Sequence, residues 1–136
     1  MKVERLVVLA LFTGVGLGVV GAELHAQATV QKPVYLVGEV DVKDLEGYTK
    51  EYSPKVRATV KAAGGNVIAF GNSGGTNNVI TLEGAPAKRV FIQVWDSAEQ
   101  MQAWYNSADY KEARKIGDKY ATFRQFVVDG VTPPPK

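Results

Sequence analysis

Five aromatic residues and one arginine are the side chains in this sequence best suited to binding a small molecule. Residues 104–114 (WYNSADYKEAR) contain three of the aromatic residues, and Arg114 follows Tyr110 by four positions on one face of a predicted helix. A guanidinium on that face can hold a carboxylate or an enolate. The predicted ligand-binding residues are Tyr48, Tyr52, Trp104, Tyr105, Tyr110 and Arg114.

Each of these assignments has a structural alternative. Aromatic residues that recur along a helix pack in a protein core more often than they contact a ligand. Arg114 can instead pair with Glu39 or Asp41, because buried arginines are usually satisfied by a protein carboxylate. Ser107 is predicted to cap a helix, since the chain offers it no base partner for a nucleophilic role.

Glu39 and Arg114 are the two candidate catalytic residues. Glu39 lies in the middle of an apolar strand pattern, where a carboxylate could act as a general base, and Arg114 could stabilise an enolate. In the alternative interpretation, Glu39 is a polar residue in the water-containing interior of a barrel, or it is the partner of Arg124. The sequence leaves both interpretations open.

The residues that are missing exclude several kinds of chemistry. The chain has no cysteine, and its one histidine, His25, lies in a segment predicted to be removed. Without thiol or imidazole, the mature domain is predicted to lack a Cys or Ser/His nucleophile relay, an ordinary zinc site and a His or Cys haem ligand. We therefore predict no metal site and no cofactor. Stability must come from packing and assembly rather than from disulfides.

The N-terminus has the features of an export signal. Lys2 and Arg5 precede an uncharged run over residues 6–20, and residues 26–28 (AQA) supply the small-x-small pattern of a cleavage site. The uncharged run is slightly short for a bilayer span, which favours cleavage over the alternative of a retained anchor. The prediction is a periplasmic or secreted bacterial protein with no membrane attachment after cleavage.

Charge and composition define the partners and the domain organisation. The net charge of +2 is spread along the chain without a basic block, so nucleic acid is not a predicted partner. Residues 1–28 are predicted to be a cleaved signal peptide, 29–33 a short linker, 34–131 one folded domain and 132–136 a proline-rich tail.

The periodicity of apolar residues predicts four strands and two helical arms. Strands are predicted at residues 34–42, 66–70, 89–95 and 122–128. Helices are predicted at residues 45–63, interrupted by Pro54, and at 98–106 and 109–119, capped by Ser97 and Ser107. The glycine- and asparagine-rich residues 71–88 are predicted to form an extended hairpin or flap with a short strand at 79–82.

The order of these elements predicts the α+β class. The order β-α-β-β-α-β is the ferredoxin-like split βαβ, in which both helical arms lie on one face of an antiparallel sheet. Each strand pattern has apolar residues on both faces, yet the helices can cover only one. A second copy of the sheet is the simplest cover for the other face, so a homodimer is predicted.

Four segments resemble a known family. They are WYNSADYKEAR, residues 63–71 (AGGNVIAFG), residues 82–84 (LEG) and residues 126–131 (FVVDGV). Together they resemble the family called domain of unknown function 1330, of the dimeric α+β barrel superfamily. The resemblance covers about residues 34–131, and Ala108 stands where the family motif usually has proline.

The resemblance implies a fold and two hypotheses for function. The family has no agreed activity, but related barrels include cofactor-free monooxygenases, isomerases and haem-handling proteins that hold small molecules between sheet and helices. In the first hypothesis, the protein is an exported homodimer that binds a small apolar or aromatic acid, with Arg114 at the charged end. In the second, it is a cofactor-independent monooxygenase or isomerase that uses Glu39 as base.

Overall fold

The computed structural model describes residues 31–131 of the 136-residue chain. The predicted signal peptide, its cleavage site and the proline-rich tail fall on residues 1–30 and 132–136 and lie outside the described residues. Within residues 31–131, no helix combines the length and the hydropathy needed to cross a membrane.

Four strands and two interrupted helical arms follow one another along the described chain. The strands are β1 (Val34–Val42), β2 (Asn66–Asn72), β3 (Arg89–Trp95) and β4 (Ala121–Asp129). The helical segments are α1 (Leu45–Gly47), a π-helical turn (Tyr48–Tyr52), α2 (Ser53–Ala62), α3 (Ala98–Asn106) and α4 (Ala108–Tyr120). The predicted β-α-β-β-α-β order is confirmed, with boundaries that differ from the prediction by at most two residues for β2, α4 and β4.

The strands form one sheet in the order β2-β3-β1-β4, and every neighbouring pair is antiparallel. Val34, at the start of β1, pairs with Trp95 at the end of β3 and with Asp129 at the end of β4. The two central strands are therefore β1 and β3, which come from the two halves of the chain. This arrangement confirms the ferredoxin-like fold.

The first helical arm is interrupted where the sequence predicts it. The Asp44 side chain accepts hydrogen bonds from the backbone N–H groups of Glu46 and Gly47 at 3.0 and 3.1 Å and so starts the arm. Pro54 has no N–H, and just before it the Ser53 N–H bonds to the carbonyl of Tyr48, five residues back. The π-helical turn thus joins two helical pieces at the proline.

The second helical arm is divided by a serine that ends one helix and starts the next. Ser97 Oγ accepts from the Gln100 N–H at 3.1 Å and caps α3. Ser107 Oγ accepts from the Tyr110 N–H at 3.2 Å and caps α4, while it donates to the Trp104 carbonyl at 2.7 Å. Both predicted caps are confirmed, and the nucleophile role for Ser107 loses its basis because its oxygen is committed to the two helix ends.

The connection from β2 to β3 contains no strand within the described chain, so the predicted strand at residues 79–82 is wrong. Its one sheet-like contact is a single bridge between Asn72 and Asn78. Ile80 and Leu82 are 74% and 90% exposed, so they have no neighbouring strand or core to pack against. An alternating apolar pattern does not form a strand without a partner for its backbone groups.

The core lies between the sheet and the helical arms, in two adjoining clusters. Around one end of β1, Val34 and Leu36 pack with Trp95 and Trp104. Around the other end, Val40 packs with Tyr48 and Tyr52, which project from the π-helical turn. Both arms therefore bury their apolar sides against the same face of the sheet.

The opposite face of the sheet, which we call the outer face, is apolar and uncovered in the single chain. The strand registers place apolar residues there in contiguous cross-strand pairs, among them Tyr35, Val37, Ile92, Val94, Phe126 and Val128. Phe126 and Val128 are 41% and 50% exposed. As predicted, both faces of the sheet carry apolar residues, and the helices cover only one of them.

Candidate functional site

A cavity of about 280 Å³ lies between the first helical arm and the helix-side face of the sheet. The π-helical turn and α2 form one wall, β2 and β3 form the floor, and Gln125 of β4 also contributes to the lining. Four of the predicted ligand-binding residues line it: Tyr48, Tyr52, Trp104 and Tyr110. The size suits a small one-ring molecule, since it lies at the lower limit of ordinary ligand pockets.

The aromatic residues of the cavity wall pack against one another. The ring centroids of Trp104 and Tyr110 are 4.2 Å apart, and those of Tyr48 and Tyr52 are 5.2 Å apart. The Trp104 indole N–H donates to Thr59 Oγ1 at 3.0 Å, which fixes the ring on α2. These residues are therefore part of the core and at the same time the wall of the cavity.

Gly38 makes room for Phe91 at the floor of the cavity. The two residues pair across β1 and β3, and a Cβ at position 38 would collide with the Phe91 ring. The ring thus lies flat over the glycine instead of projecting into the helices. The open space above the sheet depends on this close approach.

Burial raises the pKa of three tyrosines at the site. Desolvation is the largest cause for Tyr48, Tyr52 and Tyr110, and it outweighs the opposing effect of the nearby arginines. These phenols are therefore neutral at physiological pH. The Tyr48 and Tyr52 hydroxyls can donate hydrogen bonds to a ligand, but none of the three phenols can serve as a base there.

Two arginines that were not predicted as site residues line the open side of the cavity. The Arg89 guanidinium lies 5.1 Å from the centre of the Tyr48 ring, and that of Arg57 lies 5.9 Å from the centre of the Phe70 ring. Among residues 31–131, neither has a carboxylate within salt-bridge distance. The site thus contains two cations without a carboxylate partner among residues 31–131.

Arg114 lies behind the cavity wall and does not line the cavity. Its Nε donates to Asp118 at 2.8 Å and its guanidinium lies 4.0 Å above the Phe123 ring. Burial lowers its pKa, but the hydrogen bonds to Asp118 and Tyr110 more than offset this effect and raise the pKa above its ordinary value. The predicted pairing with Glu39 or Asp41 is wrong, because a carboxylate four residues along the same helix is closer.

Tyr105, the last of the predicted ligand-binding residues, also lies away from the cavity. It is 45% exposed and packs at 5.1 Å against the outer side of the Tyr110 ring. Its neighbour Trp104 is buried instead, because consecutive residues on a helix point about 100° apart.

Glu39 lies on the outer face, on the opposite side of the sheet from Arg114. Its carboxylate is 3.2 Å from Arg124 and its side chain is 44% exposed. The alternative prediction, a pair with Arg124, is confirmed. The structure therefore does not bring the two candidate catalytic residues together, and within the described residues no carboxylate lines the cavity.

Two glutamines that the sequence did not indicate also line the cavity, Gln93, which is buried, and Gln125, which is half-buried. Gln93 is 5% exposed, and its Oε1 accepts from the Trp95 indole N–H at 3.2 Å. Gln125 Oε1 accepts from the Tyr110 hydroxyl at 3.3 Å. A single glutamine in a strand gives no local sequence signal, because only the sheet register shows which face it occupies. Within residues 31–131, no group of three His, Asp or Glu side chains could hold a metal ion.

Solved structures with the same architecture share little sequence with this chain. A protein of unknown function from Rhodopseudomonas palustris is 18% identical and superposes with a TM-score of 0.62 over 76% of this chain and 85% of its own. SnoaB, a cofactor-independent oxygenase from Streptomyces nogalater, is 10% identical, with a TM-score of 0.54 over 77% of this chain and 99% of its own. At these identities the likeness establishes the fold alone.

Sequence comparison places the chain in a family. No curated protein matches it. The model of the family described as "Domain of unknown function (DUF1330)" matches residues 33–131, which includes every element of the sheet and both helical arms. The chain therefore belongs to the DUF1330 family.

Proposed function

We propose that the protein is an exported, homodimeric binding protein for a small aromatic or apolar carboxylic acid, which it holds in the cavity between sheet and helices. The observation that carries this proposal is the pair Arg57 and Arg89 on the open side of an aromatic-walled cavity. The aromatic walls suit the apolar body of such a ligand, and the guanidinium groups suit its carboxylate.

Arg89 is the stronger of the two candidate carboxylate ligands. It is half-buried, whereas Arg57 is exposed. An anion stabilises a half-buried cation more than it stabilises an exposed cation, because water and salt screen the charges less in a half-buried position. Stacking of the Arg89 guanidinium on Tyr48 leaves its N–H edge available for two parallel hydrogen bonds to a carboxylate.

Binding explains the site better than catalysis does. A cofactor-independent monooxygenase or isomerase needs a base close to the reacting carbon. The side chains around the cavity that belong to the described chain include no carboxylate and no imidazole, and burial keeps their phenols neutral. The oxygenase activity of SnoaB is a property of that protein, which has only its fold in common with this chain.

The homodimer in this proposal forms through the outer face. A contiguous apolar patch of this kind is unusual on a monomer and marks an interaction surface. A twofold contact between two copies sets the same apolar residues of one copy against those of the other. The exposed ion pair between Glu39 and Arg124 then lies at the rim of the interface, where charges are tolerated.

Export is proposed from the N-terminal sequence alone. Lys2 and Arg5, the uncharged run over residues 6–20 and the AQA triplet at residues 26–28 support cleavage before Thr29. The test is the mass of the protein purified from the periplasm of a bacterial host. A mature chain that begins at Thr29 supports export with cleavage, and an intact N-terminus in a membrane fraction contradicts it.

The binding proposal is tested with two probes that share ring and alkyl group and differ in the polar end, a carboxylate in one and a neutral amide in the other. By titration calorimetry on the purified protein, 4-isopropylbenzoate is expected to bind at least tenfold more tightly than the neutral 4-isopropylbenzamide. The shared ring and alkyl group make equal apolar contacts, so the difference reports the guanidinium groups. Equal affinities of the acid and the amide would overturn the proposal.

A further inference from the structure

The cavity wall carries two primary amides, those of Gln93 and Gln125, whose orientation is fixed by hydrogen bonds. The indole N–H of Trp95 can only donate, so the Gln93 atom it contacts at 3.2 Å is the carbonyl oxygen. The –NH₂ group of Gln93 is then the other terminus of the amide. It makes no hydrogen bond to another described residue, although Gln93 is 5% exposed.

The same reasoning fixes the second amide through a chain of three side chains. The guanidinium of Arg114 can only donate, and its Nη1 lies 3.3 Å from the Tyr110 hydroxyl oxygen. The hydroxyl proton of Tyr110 is therefore directed to Gln125, whose contacting atom at 3.3 Å is the carbonyl oxygen. This leaves the –NH₂ group of Gln125 without a protein acceptor among the described residues.

From this geometry we infer that the natural ligand carries a hydrogen-bond acceptor, a carbonyl or ether oxygen, at the end of its apolar body opposite the carboxylate. Gln93 and Gln125 both line the cavity, so a ligand that fills it displaces water from two –NH₂ groups, which costs free energy unless the ligand offers them an acceptor. Arg89 and Gln93 lie on the same face of β3, four residues and about 13 Å apart, and Gln125 lies level with Phe91 between them but two strands across, on β4. Both amides are thus separated from the carboxylate end. This inference rests on the proposed function and narrows its ligand class.

The inference also gives Arg114 a role without contact to the ligand. Arg114 holds the Tyr110 hydroxyl in the orientation that donates to Gln125, and Asp118 holds Arg114 in turn. It is a positioning residue for the acceptor end of the site. This role replaces the predicted one, in which Arg114 itself anchors the charged end.

Two matched acids test the inference: 4-acetylbenzoate and 4-isopropylbenzoate. They share the ring, the carboxylate and the number of non-hydrogen atoms, and only the first has a carbonyl oxygen opposite the carboxylate. The wild-type protein is expected to bind 4-acetylbenzoate about tenfold more tightly, because a site with unpaired donors discriminates against a ligand without an acceptor. If both acids bind with affinities within twofold, the inference is overturned while the proposed function stands.

Glutamate substitutions test whether the preference for 4-acetylbenzoate depends on the amides of Gln93 and Gln125. Gln93→Glu and Gln125→Glu keep the oxygen that Trp95 or Tyr110 contacts and replace the –NH₂ donor with an acceptor. The double variant is expected to weaken both acids and to lose the preference for 4-acetylbenzoate. The control Gln102→Glu adds the same charge at an exposed position of α3 and should keep the preference.

The outcomes separate the two proposals. A tenfold preference that persists in the double variant overturns the assignment to Gln93 and Gln125. The wild-type ratio does not depend on the folding of any variant, so it decides the inference by itself. If neither acid binds the wild-type protein, the proposed function fails and the inference fails with it.

Discussion

Arg114 Nη1 donates a hydrogen bond to the Tyr110 hydroxyl oxygen at 3.3 Å, so the arginine that the sequence marked as a ligand anchor serves a tyrosine of the cavity wall. Tyr110 is 2% exposed, and its hydroxyl donates a hydrogen bond to Gln125 Oε1 of β4. The last helix and the last strand are thus joined by a polar chain at the edge of the core. Such a hydrogen-bonded chain stabilises the folded state when every polar group in it is paired, and it lowers the stability when one group loses its partner.

Tyr110→Phe tests this chain. The substitution leaves Arg114 Nη1 and Gln125 Oε1 without the hydroxyl and is expected to lower the free energy of unfolding by about 1–3 kcal/mol. Urea denaturation followed by circular dichroism measures the change. Tyr105→Phe removes an exposed hydroxyl from the same aromatic cluster and should alter stability by less than about 0.5 kcal/mol. Equal effects of the two substitutions would contradict the role assigned to the Tyr110 hydroxyl.

Gly38→Ala tests the close approach of the Phe91 ring to β1. The added methyl group collides with the ring and is expected to destabilise the protein by about 1–3 kcal/mol, the usual cost of overpacking a core. The double variant Gly38→Ala/Phe91→Leu removes the ring atoms that collide. Its loss of stability should be smaller than the sum of the two single losses, as measured in a double-mutant cycle. Additive losses would show that the two residues do not compete for the same space.

Phe126→Asp tests the outer face as the dimer interface. Phe126 is 41% exposed in the single chain, so the substitution spares the core but places a charge in the proposed contact. Light scattering after size exclusion is expected to give twice the chain mass for the wild-type protein and the chain mass for the variant. Leu45→Asp makes the same exchange at an exposed position on the helix side and should remain dimeric. A wild-type monomer at micromolar concentration would contradict the interface.

The buried tyrosines predict the response of stability to alkaline pH. Burial raises the pKa of Tyr48, Tyr52 and Tyr110 above the ordinary value of 10.0, so the folded protein holds their protons where the unfolded chain releases them. Their contribution to stability is complete below about pH 10 and is lost as the pH rises further. The melting temperature should therefore fall above about pH 10, and less steeply in Tyr52→Phe. Identical slopes in the two proteins would contradict this account.

The sequence predicted the fold because the fold depends on local patterns. Alternating residues of β1, the caps at Ser97 and Ser107 and the break at Pro54 each act within a few positions, and all are present in the structure. The strand at residues 79–82 was predicted from its pattern alone. It is absent because Ile80 and Leu82 lack a partner, which a local pattern cannot reveal.

The site was less predictable because its residues meet only through the sheet register. Four aromatic wall residues were predicted, since their spacing marks the inner side of the helical arms. Glu39 was a candidate base because apolar residues on both sides of β1 conceal which face meets the helices. Arg57 and Arg89 come from α2 and β3, and nothing in either segment indicates that they line one cavity.

The most direct test of the account is the affinity of 4-isopropylbenzoate for the wild-type protein and for Arg57→Gln/Arg89→Gln, measured by titration calorimetry. Loss of both guanidinium groups is expected to weaken binding at least tenfold, which is about 1.4 kcal/mol, because each makes charge-assisted hydrogen bonds to the carboxylate. Lys61→Gln removes a charge from an exposed position of α2 and should leave the affinity within twofold of the wild-type value. An unchanged affinity in the double arginine variant would contradict the account.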